Sequence, residues 1–293
     1  MRHGRYYLGR VIKLGRLDQN RLMDAIADSA TLTIGKFTWT IADVQDGRNC
    51  AIPFMFGKLS KFSREGQVTM VDTEHKVQRE ALAPNLLMAS APFVYLPEFS
   101  GIAYLHVWNE IQEDLFTRRF KTLIEATYDN FFVDCSIEAV ADYRQFSQRL
   151  KEMDLVKEIS ARVHPPNPLF GRLWAPLKDY IKKRNAQEVS VREAREDDQG
   201  LKTDIVSLVE AVLEDPAFEP KERPAITDAA LLMAADGYGL GKLTGMKDGA
   251  EIIVRTSDAQ HSFPFDKEPD ATQLAEEAYK KFEHVSKERG MKH

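Results

Sequence analysis

The stretch PFVYLPEFSGIAYLHVW, residues 92–108, decides the fold of the first half of this chain. Two apolar segments rich in aromatic and β-branched residues flank the loop EFSG, and a loop this short joins antiparallel neighbours. Upstream, residues 5–14 have the composition of a strand, and the alternation of Phe37, Trp39 and Ile41 indicates a half-buried one. The stretch and its surroundings therefore predict an antiparallel sheet.

A helix is predicted directly after this hairpin, within EDLFTRRFKTLIEATYDNF, residues 113–131. Its apolar residues recur at helical spacing, so one face can pack on the sheet. These residues are Phe116, Phe120, Leu123, Ile124 and Tyr128. We therefore expect an N-terminal, mostly antiparallel β domain over residues 1–130 that is closed by a helix.

Residues 131–293 are expected to form a second domain of mixed α+β structure. Near its end, AALLMAAD (229–236), LGKLTG (240–245) and EIIVRTS (251–257) are predicted as three strands of a β-meander. Asp270 and Gln273 then form a variant of the capping box that opens a final amphipathic helix. The predicted fold class is α+β.

The composition limits the classes of protein that need consideration. Hydrophobic residues make up 43 % and charged residues 29 % of the 293, which is too apolar for a disordered chain and too charged for a membrane protein. No apolar run reaches the roughly 18–20 residues of a membrane span. Two cysteines exclude a disulfide framework. We expect a cytoplasmic protein that does not insert into membranes.

The net charge of −5 hides an asymmetry along the chain. Residues 1–64 contain eleven Lys and Arg against five Asp, a net charge of +6, so the remainder carries −11. A basic region on an acidic body can attract polyanions even when the whole chain is acidic.

No motif in the sequence predicts catalytic residues, a metal site or a cofactor. The stretch from Asp236 to Lys242 contains three glycines, but their spacing fits neither a phosphate-binding loop nor a dinucleotide fingerprint, and a turn is the simpler interpretation. No two histidines lie three or four residues apart, so no helical metal clamp is predicted.

Basic residues remain as the strongest functional signal, and they fall into four sets. The first set lies on the N-terminal strand and its turn, the second between residues 58 and 64, the third on the helix near residue 120, and the fourth around a helix near residue 180. Together they comprise Arg10, Lys13 and Arg16; Lys58, Lys61 and Arg64; Arg118, Arg119 and Lys121; and Arg172, Lys178, Lys182, Lys183 and Arg184. Such sets can contact nucleic-acid phosphates without reading sequence.

The C-terminal layout resembles that of the phage-exclusion protein RexA of phage lambda and related phage-defence proteins. The shared features are LLMAADGYG, the strand EIIVRTS and the helix that begins after Asp270. The resemblance implies a dimer that binds DNA without strong sequence preference and acts in abortive phage defence. It implies no individual site residue.

We therefore expect a non-enzymatic, sequence-independent DNA-binding protein of a bacterial or prophage defence system, acting as a homodimer. Two alternatives stay open. The chain could be a nuclease or another toxin effector whose active site is assembled from distant acids. It could instead be a protein-interaction subunit of a defence complex, with its acidic body docked on a partner encoded nearby.

Overall fold

The computed structural model describes residues 3–166, 169, 171–197 and 199–291. These residues form two antiparallel sheets covered by helices, so the predicted α+β class is confirmed. In chain order the strands are β1 (His3–Gly15), β2 (Leu32–Ile34), β3 (Phe37–Asp46), β4 (Met55–Asp72), β5 (Val77–Leu96), β6 (Gly101–Leu105), β7 (Val133–Ala139), β8 (Leu155–Val163), β9 (Val189–Ala194), β10 (Gly239–Lys247), β11 (Ala250–Arg255) and β12 (Ser262–Asp266). The α-helices are α1 (Gln19–Ala27), α2 (Glu113–Thr127), α3 (Tyr143–Lys151), α4 (Ala175–Arg184), α5 (Ile205–Glu214), α6 (Ile226–Met233) and α7 (Ala271–Glu288).

The large sheet has the strand order β12-β1-β6-β5-β4-β3-β2, and β7 also pairs with β1. The predicted hairpin is confirmed, because β5 and β6 pair antiparallel from Phe93 opposite Tyr104 to Leu96 opposite Gly101. Helix α2 packs on this sheet as predicted, and its residues Phe116 and Phe120 are fully buried beside Phe93.

The two sheets do not correspond to two continuous halves of the chain. The predicted boundary after residue 130 precedes β7, whose residues 133–139 pair with residues 9–15 of β1. Strand β12 pairs with the beginning of β1, and α7 then packs on the large sheet through residues that include Phe282. The chain therefore leaves the large sheet after β7 and returns to it near its end.

The small sheet has the strand order β11-β10-β8-β9, and helices α3 to α6 share the core on one of its faces. The expected meander is realised only in part, because β10 and β11 form a hairpin but residues 229–233 belong to α6. Leu231, Leu232 and Met233 are fully buried. A short apolar run does not distinguish a buried strand from a buried helix, and Ala, Leu and Met favour the helix.

Strands β4 and β5 extend well beyond their neighbours in the large sheet. Residues 63–72 and 77–87 pair only with each other among the described residues, since β3 reaches Phe62 and β6 begins opposite Leu96. We call residues 63–87 the hairpin arm. Its exposed large apolar side chains are Met70, Val71, Val77, Leu82 and Leu87, of which Leu82 is 75 % exposed.

A buried polar cluster joins the two sheets around Asp236, which lies in a wide π-helical turn, Ala234–Tyr238, between α6 and β10. The Asp236 carboxylate accepts hydrogen bonds from Arg289 Nη1 at 2.7 Å, Tyr143 OH at 2.8 Å and Trp174 Nε1 at 2.7 Å. Arg10 Nε of β1 donates to the Asp236 carbonyl at 2.8 Å. The predicted turn at Asp236 is therefore a helix-to-strand connection that ties β1, α3 and the end of α7 together.

Candidate nucleic-acid interface

Arg10, from the first predicted basic set, belongs to this buried cluster and is 0 % exposed. Its Nη1 donates to Phe99 O at 2.7 Å, and its guanidinium carbon lies 5.0 Å from the centroid of the Tyr238 ring. No phosphate can reach it. The prediction that Arg10 contacts DNA is corrected to a structural role, because β1 is paired on both edges and the Arg10 side chain lies in the buried cluster around Asp236.

The other two members of the first set differ in their surroundings. Lys13 is half-buried, its Nζ donates to Ser100 Oγ at 2.5 Å, and burial lowers the pKa of its ammonium group to about 8. Arg16 is exposed at the end of β1, with its guanidinium 5.3 Å from the centroid of the Phe132 ring. Of this set, Arg16 alone presents an open cation.

The second set is largely neutralised by nearby carboxylates. Lys58 lies within 3.1 Å of two of them, Asp43 and Glu268, and Lys61 lies 2.8 Å from Glu110 Oε2. Arg64 is exposed at the base of the hairpin arm. Two of the three cations are thus already paired within the chain.

The third set lies on α2 and is also engaged. Arg118 pairs with an acid one turn earlier on the helix, and Lys121 Nζ lies 2.6 Å from Asp134 Oδ1. Arg119 is half-buried over the ring of Trp39, with its guanidinium carbon 5.3 Å from the ring centroid. Lys61 lies over the ring of Phe37 on the same strand, β3, so the structure brings Lys61 and Arg119 to neighbouring positions.

The fourth set surrounds α4. Arg172 precedes the helix, and its Nη1 donates to Ala217 O at 3.0 Å, while Lys178 is half-buried. Lys182, Lys183 and Arg184 are exposed in the last turn, where cations also interact favourably with the helix dipole. The exposed members of the four sets thus lie on separate elements, namely β1, the hairpin arm, α2 and α4.

A different group of cations lies together on the face of the small sheet that points away from its core. Directly paired residues in a sheet project from the same face. The register pairs Arg255 with Lys242, Lys242 with Ser160, and Ser160 with Arg192, which gives one row across all four strands. Arg162 lies in the next row, opposite Leu240. We call the surface formed by Arg162, Arg192, Lys242 and Arg255 the basic sheet face.

The basic sheet face surrounds a shallow hollow of about 500 Å³, which is also lined by Ser160, Ser190 and Ser257. Two carboxylates compensate part of its charge, because Glu158 lies 2.7 Å from Arg192 Nη2 and 3.2 Å from Lys242 Nζ, and Glu188 Oε2 lies 3.8 Å from Arg162 Nε. Hydrogen bonds from Arg192 and Lys242 lower the pKa of Glu158. Arg162 and Arg255 are exposed, and Arg255 has no ion pair with any residue that the structure describes. The hollow therefore combines cations with hydroxyl donors, which suits phosphate oxygens.

Sequence reasoning missed this face because each strand contributes only one basic residue. The four cations are spread over residues 162–255 and never form a run. The signal that could have found them is the alternation within each strand, where Ile159, Ala161 and Val163 alternate with Ser160 and Arg162. The pairing of the strands, which brings the cations together, is not visible in the composition.

Metal-binding clusters and membrane-spanning helices are both absent from the parts of the chain that the structure describes. No three His, Cys, Asp or Glu side chains there are grouped so that they could hold a metal ion. No helix within the described ranges is both long and apolar enough to cross a membrane.

The fold and this surface define an α+β protein of two linked antiparallel sheets with one basic sheet face. The chain belongs to the DUF4747 family, a domain of unknown function, whose family model matches residues 20–214. The matched range includes Arg162 and Arg192 and ends before β10 and β11. A search of curated proteins gives no match.

Proposed function

We propose that this protein binds DNA through its phosphates, without strong sequence preference, on the basic sheet face. The observation that carries the proposal is the convergence of four cations, one from each strand of the small sheet, around one hollow. Lys and Arg contacts to phosphate release condensed counterions, which gives affinity that does not depend on base sequence. The residues proposed for this role replace most of those suggested by the charge runs.

Two features of the face support a polyanion as the ligand. Arg162 and Arg255 are exposed on this face, and Arg255 has no ion pair with any residue that the structure describes. Serine hydroxyls lie among the cations and can donate to further phosphate oxygens. The resemblance to RexA-like phage-exclusion proteins favours DNA as the polyanion and phage defence as the setting.

We further propose that the DNA-binding form is a homodimer held together by the hairpin arm. Both edges of the arm are open, and exposed apolar strand edges in a monomer favour association. The arm contains three cations and four acids, so its near-neutral surface does not suit DNA and is compatible with a second copy of itself. Two copies related by a twofold axis would offer two basic sheet faces to one duplex.

The binding experiment uses fluorescence anisotropy of a labelled duplex, titrated with the full chain at increasing salt. With four phosphate contacts, a fourfold rise in salt should weaken binding on the order of a hundredfold. No binding at low salt, or binding indifferent to salt, would overturn the proposal.

Matched double variants locate the interface. Arg162→Ala/Arg255→Ala removes two exposed cations from the basic sheet face and leaves the pairs around Glu158 intact. Lys182→Ala/Lys183→Ala removes the same charge from α4. The first variant should bind about tenfold more weakly and the second nearly as well as wild type. The reverse order would place the interface on α4.

A further inference from the structure

A cleft of about 660 Å³ lies between the two sheets and adjoins the basic sheet face. Strands β1 and β7, helix α3 and the turn at residues 256–259 line it. Leu240 and Ser257 line both this cleft and the hollow of the basic sheet face, so the two sites are continuous. The volume is in the range that holds a small organic group.

Glu138 lines this cleft and is 6 % exposed. Its carboxylate makes no hydrogen bond or ion pair with any of the described residues. Its cross-strand neighbour is Arg10, but the Arg10 guanidinium donates to the carbonyls of Asp236 and Phe99 instead. The Glu138 carboxylate therefore lacks a donor within the chain, and a ligand in the cleft that supplies one would pair with it.

The charges of the cleft decide which part of a nucleic acid could enter it. Besides Glu138, its lining includes three further carboxylates and two guanidinium groups. These are Glu113, Asp114 and Asp258, with Arg5 and Arg149. The excess of negative charge disfavours a phosphate there, whereas the neighbouring basic sheet face favours one. A neutral group with two adjacent donors, attached to a phosphate chain, fits both sites at once.

We propose that the cleft takes an unpaired guanine base while the adjoining phosphates lie on the basic sheet face. The guanine edge presents N1–H and N2–H₂ side by side, and both can donate to the two oxygens of Glu138. The inference rests on the proposed function and adds to it a preference for single-stranded ends or flipped-out guanines.

The test compares short oligothymidylates that contain one guanosine, one inosine or neither, bound to the full chain at low salt. Inosine lacks only the exocyclic amino group, so the guanosine oligonucleotide should bind about tenfold more tightly than the inosine one. Glu138→Gln should abolish that preference, which is measured within each protein as the ratio of its affinities for the guanosine and inosine oligonucleotides. Asp114→Asn, which removes one charge from the rim of the same cleft, should keep the preference.

Free guanosine and inosine monophosphates, titrated by NMR, separate this inference from the proposed function. If no oligonucleotide binds, the proposed function fails, and a guanosine monophosphate preference that depends on Glu138 would still support the cleft. If oligonucleotides bind equally well with guanosine and inosine, and the monophosphates show no difference, the cleft is not a guanine site. Loss of the preference in both acid-to-amide variants would also overturn it, because charge alone would then explain the effect.

Discussion

At the scale of single residues, Asp236 is the centre of a buried polar cluster. It is 2 % exposed and accepts hydrogen bonds from three side chains on separate parts of the chain. Burial, then the nearby Asp236 charge, raises the pKa of Tyr143 well above its ordinary value. The phenol therefore stays protonated and donates to the carboxylate throughout the neutral pH range.

Asp236→Asn should destabilise the fold by about 3–5 kcal/mol, because it leaves the buried Arg289 guanidinium without a counter-charge. Asp114→Asn is the matched control, since its ion pair with Arg118 is exposed on both sides and should cost less than about 1 kcal/mol. Urea unfolding of the two variants measures the difference. Equal midpoints would contradict the central role of the buried cluster.

The ammonium group of Lys13 should make the unfolding free energy depend on pH in the alkaline range. Burial lowers its pKa from 10.5 to about 8, so between these values the unfolded chain binds more protons and stability rises with pH. Below pH 8 both states are protonated, and the full cost of the half-buried charge is present. Lys13→Met removes this dependence. The difference in unfolding free energy between variant and wild type should change from pH 8 to 10.5, and a constant difference would refute the explanation.

The residue scale also shows where sequence reasoning reached its limit. Arg10 and Arg16 have similar neighbours in the sequence, yet Arg10 is buried in the cluster around Asp236 and Arg16 is exposed. Burial of an arginine requires partners that come from distant segments, in this case Phe99 and Asp236. No local sequence pattern around Arg10 predicts these two partners.

At the scale of elements, periodicity predicted α2 and the final helix α7 correctly. Asp270 caps α7 by accepting from Gln273 N at 3.0 Å, as the capping-box variant indicated. Helix α6 differs from the strand predicted over part of it, because a short buried apolar run is compatible with either element. The π-helical turn that follows it could not be predicted, since only Gly237 adopts the required φ of 87° there.

Gly237→Ala should be more destabilising than Gly249→Ala, although both glycines have a positive φ. An added Cβ at Gly237 would lie 3.0 Å from Arg10 Cγ and 3.0 Å from Val140 Cγ2, whereas nothing lies within 4 Å at Gly249. Backbone strain of about 1–2 kcal/mol is common to both, and crowding adds about 1–3 kcal/mol at Gly237. Thermal unfolding compares the two variants. Equal losses of stability would show that the residues around Gly237 move to accommodate the methyl group.

The hairpin arm is the element on which the proposed dimer depends. Replacing residues 66–83 by Asn-Gly should leave a two-residue hairpin between Glu65 and Pro84, which are directly paired. Light scattering should then give the mass of a monomer where wild type gives that of a dimer. Leu82→Lys, which keeps the arm intact, should weaken the dimer in the same direction. A wild-type monomer, or a shortened variant that remains dimeric, would contradict the role of the arm.

At the scale of the whole molecule, the uneven charge predicts a polyanion-binding region near the N-terminus, but the exposed cations of the four predicted sets lie on separate elements and do not form one surface. Within residues 1–64, Lys58 and Lys61 pair with Glu268 and Glu110, which lie outside that range and offset part of its excess of +6. The basic sheet face arises instead within the acidic remainder of the chain. Strand pairing, and not proximity in sequence, gathers its cations.

The most direct test of this account is the salt dependence of duplex binding by wild type and by Arg162→Ala/Arg255→Ala. Each phosphate contact contributes roughly 0.9 to the slope of log affinity against log salt. The double variant should therefore give a slope that is shallower by roughly 1.8, while Lys182→Ala/Lys183→Ala should keep the wild-type slope. Equal slopes for wild type and Arg162→Ala/Arg255→Ala would show that the basic sheet face does not contact DNA.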